Sequence, residues 1–346
     1  MELEIWNLKN NPKYLTWLLA VAGLGVLLLF SMVVSLTLGE MNIGLLDALK
    51  MIVGSGDPTS IEYMLVRQVR LPRIILGLAV GGSLSLAGVI LQGIYRNPLV
   101  EPFTLGISGG ASLGVAITIV FGLHLTFGSF VLPLSGFLGA FLIIFLVYTI
   151  SSRSGAIDIQ RMLLTGVMVS FVASSAMMFL MSVSTSENLH GIIFWIMGSL
   201  DEPDTSLIWL TLISSLVVLL LSYLFVQALN ALRLGEEKAL HLGINTNVAV
   251  RILFILASLL AGICVSVAGV IGFVGLIIPH LLRMVFGSDY RILLVSSFLL
   301  GGSFLILSDV VARTIIAPNE LPIGVITGII GGVVFIVMMS RKKTLV

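Results

Sequence analysis

A chain of 346 residues of which 58% are hydrophobic and only 10% charged cannot clothe a globule in an ordinary polar surface, since soluble domains are about one-quarter charged. The mean hydropathy of +1.16 and the 36 glycines fit a chain solvated mostly by lipid, where small residues let helix backbones approach closely. A net charge of +1 supplies no basic field for nucleic acid, and the single cysteine, Cys264, excludes an internal disulfide or a cysteine metal site.

At about 20 residues per crossing, cutting the apolar runs at charge and turn clusters predicts ten spans: 15–38, 71–94, 104–123, 129–150, 161–183, 206–229, 249–271, 273–286, 291–315 and 322–340. This is an all-α polytopic membrane protein forming a single transmembrane domain over residues 1–346, with loops too short for a soluble catalytic domain. The first run exceeds a signal-peptide core and lacks a small-residue cleavage signature, so it reads as a retained span. The second takes Pro72 into its first turn, and Arg67, Arg70 and Arg73 at its mouth are spaced to share one helical face. Residues 184–204, with Trp195, Gly198 and Pro203, read as an interfacial loop holding a short amphipathic helix. The eighth run is too short for a perpendicular crossing, and Gly272 and Gly275 ahead of Pro279 predict a tight re-entry from the seventh.

With ten spans both termini share a side. Placing them in the cytoplasm puts 13 basic residues inside: Lys9, Lys13, Arg96, Arg153, Arg161, Arg233, Lys238, Arg251, Arg283, Arg291, Arg341, Lys342 and Lys343. Five lie outside (Lys50, Arg67, Arg70, Arg73 and Arg313), so the positive-inside rule favours this orientation. An offset of 181 residues aligns the second span with the seventh, with nine identities in the 21 positions from 70 to 90, among them Arg70/Arg251, Gly81/Gly262 and Gly88/Gly269; Pro98/Pro279 and Gly106/Gly287 extend the register. Copies five crossings apart run in opposite directions, which makes the second-to-fifth and seventh-to-tenth spans an inverted repeat of the kind transporters use.

The stripes Gly77-x3-Gly81-x3-Ser85 and Gly324-x3-Gly328-x3-Gly332 read as close packing faces, or as smooth walls of a path or a dimer seam. The outer arginines read either as interfacial anchors or as a dock for an acidic partner or anionic solute; Arg313 pairs with Asp309 one turn earlier or joins them. Inside, residues 232–243 form the longest charged loop. Gly235 and Gly243 bracket about two turns of helix, with Ala239, Leu240 and Leu242 as an apolar edge beside Glu236, Glu237 and Lys238. Such a helix seats in a groove of another protein, the alternative being a solvated loop. The loops around Asn97 and Leu99 and up to Gln160 are placed to close the inner mouth. No Gly-Lys dipeptide occurs, so the chain has no phosphate-binding P-loop and is not itself an ATP motor. Acidic residues are scarce at span centres, where proton- or sodium-coupled carriers need them. A secondary carrier and an intramembrane enzyme are therefore the weaker alternatives, and no cofactor is expected in this chain.

Taken together, Arg70-Leu-Pro-Arg73, Gln92 with Arg96-Asn-Pro-Leu99 and Glu101-Pro102, Leu105-Gly-Ile-Ser-Gly-Gly110, Trp195-Ile-Met-Gly-Ser-Leu200, Leu234-Gly-Glu-Glu237, Phe273-Val-Gly-Leu-Ile-Ile-Pro-His280 with Arg283, Asp309 with Ala312-Arg313, and Glu320-Leu-Pro-Ile-Gly324 resemble the permease subunit of ABC importers for iron-siderophores, haem and cobalamin. The chain departs from the family at Asp289-Tyr290-Arg291 and at Gly331-Gly332-Val333. The resemblance implies a prokaryotic inner-membrane permease working as a homodimer or a pseudo-symmetric pair, served by two cytoplasmic ATPase subunits that hold ATP and Mg and by an extracytoplasmic binding protein. It implies that Arg70, Arg73 and Arg313 dock the binding protein. Leu234, Gly235, Glu236, Glu237, Ala239, Leu242 and Gly243 would couple to the ATPase, and Asn97, Leu99 and Gln160 would belong to the cytoplasmic gate. The fifth and tenth spans would line the path.

Overall fold

The computed structural model describes residues 12–39, 41–128, 130–153, 156–202 and 204–340. Lys9, Pro203, Arg341, Lys342 and Lys343, used in the reading above, lie outside the described residues.

All ten predicted spans are helices: α1 (Pro12–Thr37), α3 (Ile61–Tyr95), α4 (Ile107–Val120), α6 (Val131–Ser151), α7 (Ile159–Ser182), α9 (Thr205–Leu224), α12 (Thr246–Ala268), α13 (Val274–Phe286), α14 (Tyr290–Thr314) and α15 (Ile323–Ser340). Seven are long and apolar enough to cross a bilayer, and α4, α13 and α15 are shorter apolar helices. Between them lie short elements: α2 (Leu45–Val53), α5 (Leu123–Phe127), α8 (Ser186–Met197), α10 (Val226–Leu232) and α11 (Glu236–His241). A minimal antiparallel bridge pairs Ser152 with Ile157 and Arg153 with Ala156. Asp158, Thr185, Asp204, Asn245 and Asp289 each accept a backbone N–H at a helix start, meeting donors that lipid and apolar neighbours cannot satisfy.

The second span departs from expectation at its beginning. Its helix starts at Ile61, where the Ser60 hydroxyl accepts the Tyr63 N–H, and it passes through a π-helical turn, Leu65–Arg70, before Pro72. Pro72 is thus interior, and the wider turn absorbs the hydrogen bond that proline cannot donate. The re-entry after α12 also turns elsewhere than expected: the left-handed residues are Gly269 (φ 71) and Phe273 (φ 69), not Gly272 and Gly275.

Lipid offers no hydrophobic force between helices, so association rests on close packing. α3 is the buried centre of the bundle and packs on α1, α9, α12, α13 and α14. Gly81 of α3 faces Gly301 of α14, and Gly88 faces Gly275 of α13, each so closely that a Cβ would strike the partner's carbonyl oxygen. The second stripe is different. Gly324 lies against the carbonyls of Met197 and Val270, whereas a side chain at Gly328 or Gly332 would meet nothing within 4 Å of its Cβ.

The packing carries the inverted repeat. α3 lies on α13 and α14 of the other half, and α12 lies on α4 and α6; α4, α6 and α7 pack mutually, as do α13, α14 and α15. The 181-residue register is correct for the α3/α12 pair but ends there. α3 continues past Gly88 while α12 stops before Gly269, so Pro98 lies before α4 but Pro279 lies within α13, and Gly106 precedes α4 while Gly287 follows α13.

Candidate functional site

Two charged regions lie at opposite ends of α3. At the first, the three arginines named from the sequence are built into the fold. Arg70 is 1% exposed and donates to the carbonyls of Leu36 and Met41, fixing the end of α1. Gly39 leaves room for this contact, because a Cβ there would sit 2.8 Å from Arg70 Nη2. Arg73 makes a bidentate pair with Glu320, Nη1 to Oε1 at 3.0 Å and Nη2 to Oε2 at 2.6 Å, and lies 4.0 Å from Asp309 and 3.9 Å from Asp201. Arg313 donates through Nε to Asp309 Oδ2 at 2.8 Å and through Nη2 to Ser35 Oγ at 2.9 Å. Paired planar charges of this kind lock geometry, joining α1, α3, α14 and the approach to α15.

The expectation that Arg67, Arg70 and Arg73 share one face is therefore corrected. The π-turn leaves Arg67 exposed, donating to the Tyr63 hydroxyl at 2.6 Å, while Arg70 and Arg73 point inward. The surface over the network is acidic instead, because Glu320 is half exposed and Asp201 is 75% exposed. Beside them, burial and the neighbouring Asp204 and Asp201 carboxylates raise the Glu202 carboxyl above its ordinary value, against the lowering effect of the Asp204 N–H.

At the other end, about 35 Å along α3 at 1.5 Å per residue, the segment 232–243 folds as the sequence indicates. α11 is bracketed by Gly235 (φ 110) and Gly243 (φ 80), backbone positions that other residues reach only with strain. Its apolar residues divide between two surfaces. Ala239 is fully buried and seats the helix, while Leu234, Leu240 and Leu242 are exposed. Glu236 and Glu237 occupy the first turn, where the helix dipole favours acid. Nearby, Arg96 adopts a left-handed conformation and the Asn97 Oδ1 accepts the Leu99 N–H at 2.9 Å, a turn that holds Leu99 46% exposed. Gln160 is exposed in the first turn of α7, and no hydrogen bond joins it to Asn97 or Leu99 among the described residues.

Ser35, Asp201 and Glu320 were assigned no role from the sequence. The Asp309–Arg313 pair had a visible signal in its four-residue spacing. The Arg73–Glu320 pair, 247 residues apart, had none.

With this geometry in view, the comparisons with known proteins are specific. The FecCD transport family matches residues 27–341. The hemin transport system permease protein HmuU of Yersinia pestis is 36% identical over 92% of this chain and 96% of its own length. The vitamin B12 import system permease protein BtuC of Klebsiella pneumoniae is 37% identical over 93% of each chain. The solved structure of a metal-chelate type ABC transporter, inward-facing, superposes with a TM-score of 0.82 at 33% identity, covering 93% of this chain and 98% of its own. Sequence, architecture and helix packing thus agree that the chain is a transport permease and belongs to the FecCD transport family of ABC importers.

Proposed function

We propose that this chain is the membrane subunit of an ATP-driven importer that takes a metal chelate (iron-siderophore, haem or cobalamin) from an extracytoplasmic binding protein and releases it into the cytoplasm by alternating access. The observation that carries the reading is α11: a short acidic helix, pinned by Ala239 between two left-handed glycines, that presents Leu240 and Leu242 at the end of the bundle where Asn97 and Leu99 lie. An exposed apolar edge beside acidic residues fits a groove on a partner ATPase, which holds the ATP and Mg. Both termini, α11 and the Asn97 loop are cytoplasmic in this reading, as the positive-inside tally favours.

Arg70, Arg73 and Arg313 serve docking indirectly. A carboxylate on the binding protein replaces Glu320, the half-exposed partner of Arg73, so that docking engages a network already tied to α1, α3 and α14. Charges placed this way set docking rate and register. α7 and α15 lie at the periphery of the single chain, and Gly328 and Gly332 leave a smooth open face on α15. These surfaces support pairing with a second permease copy around a central path.

Affinity purification of the tagged chain from its native membrane tests the reading. Recovery of a P-loop ATPase with vanadate-sensitive turnover is expected. A chain that comes out free of ATPase yet transports in liposomes would point to a secondary carrier.

A further inference from the structure

Beside α11 lies a cleft that neither the docking nor the coupling assignment uses, although Asn97 of the expected gate lines one edge of it. The last turns of α3, the end of α10, and facing parts of α13 and α14 enclose about 470 Å³, lined by Gln92, Arg96, Arg233, His280, Arg283 and Tyr290 among others. No Asp or Glu lines it. None of its three arginines has an ion pair among the described residues.

Neutral groups aim two of these cations, Arg283 and Arg233. Buried Gln92 is fixed by its Nε2 donating to the Gly275 carbonyl at 3.0 Å, which turns its Oε1 toward the Arg283 guanidinium. Arg233 donates to the Ser288 carbonyl at 2.6 Å. Tyr290, 2% exposed, packs its hydroxyl on Gly93, where a Cβ would meet it at 2.6 Å. Three guanidiniums line the cleft with no carboxylate among the lining residues, a local positive field that favours an anion. Phosphate matches their forked donors.

We infer that this cleft binds a phosphate group, supplied by the headgroup of an anionic phospholipid. Three observations favour a lipid source. The cleft sits where the apolar helices α3 and α13 end, the place where a span meets water. Basic pockets between helices at that level are the usual seats of anionic headgroups. Met284, which lines it, is 63% exposed and gives acyl chains an apolar contact.

The test needs no ATP, so its failure would leave the importer reading untouched. The full chain, purified in neutral detergent, is presented with phosphatidylglycerol, with phosphatidylcholine, or with inorganic phosphate alone. Lipid retention is read by native mass spectrometry and thermal unfolding by fluorescence. Phosphatidylglycerol is expected to be retained and to raise the unfolding temperature where phosphatidylcholine does not. Arg96→Gln and Arg233→Gln change exposed side chains and so spare folding; each should weaken phosphatidylglycerol binding about fivefold. Arg161→Gln, a control at an exposed arginine paired with Asp158, should not. Equal retention of both lipids, or undiminished binding by the double variant, would overturn the site. Equal stabilisation by inorganic phosphate alone would keep the chemistry and overturn the lipid source. Loss of the lipid on adding the purified partner ATPase would reassign the cleft to a carboxylate of that partner.

Discussion

Arg73 shows how a single residue can be legible as a type and hidden as a contact. Its charge at a span mouth was visible in the sequence, and so was the spacing of Asp309 and Arg313. Its bidentate partner was not, because Glu320 arrives from the far end of the chain and only the packing of α3 on α14 brings it there. Arg67 and Arg70 misled in the opposite way: regular spacing implied one face, and a π-turn separated them. The network makes a graded prediction. Arg73→Gln leaves Asp309, 4% exposed, with only Arg313 for company. Removing that buried guanidinium weakens the compensation without abolishing it and costs about 1–3 kcal/mol. Glu320→Gln removes a half-exposed partner and costs about 1 kcal/mol or less. Thermal unfolding of both variants in detergent should show a clearly larger fall for Arg73→Gln, and equal falls would refute this ordering of the network.

Helices were the most legible scale, because twenty apolar residues in lipid have few choices besides a helix. Interruptions were less legible. The break after α12 uses Phe273 in a left-handed conformation, which no residue preference announces, and Gly275, which looked like its hinge, is instead a packing glycine. The glycine stripes looked alike in sequence, yet one is sealed against α14 and the other is open at two of its three positions. Glycine content therefore marks closeness only where a neighbour is present. Gly88→Ala should force α3 away from the Gly275 carbonyl and cost about 1–3 kcal/mol, as overpacking does. Gly23→Ala on α1, where nothing lies within 4 Å, should cost nothing and gain some helix propensity. Comparing their unfolding temperatures checks the seam, and an unaffected Gly88→Ala protein would mean that α3 and α13 are not in contact.

Across the whole molecule, α3 runs from the arginine network to the turn that precedes Asn97, and its neighbours α13 and α14 belong to the opposite half of the repeat. Under the proposed alternating access, a bundle interlocked through small residues would move in rigid bodies and deliver at one end a force applied at the other. In the proposed importer, α11 is the element that would receive that force. It is fastened by Ala239, whose carbonyl accepts the Ile244 N–H at 3.1 Å, yet keeps its acidic turn accessible. Replacing Glu236 and Glu237 together by lysine reverses the charge offered to an ATPase groove and sets cations at a helix N-terminus, costing about 0.3–1 kcal/mol per residue locally. That is too little to unfold a ten-span bundle, so insertion and detergent stability should match the unaltered chain. ATP-driven uptake into proteoliposomes should nevertheless fall to background, and recovery of the ATPase with the tagged permease should drop in parallel. Normal uptake by the double variant would show that α11 does not transmit the stroke, even if the ATPase still binds.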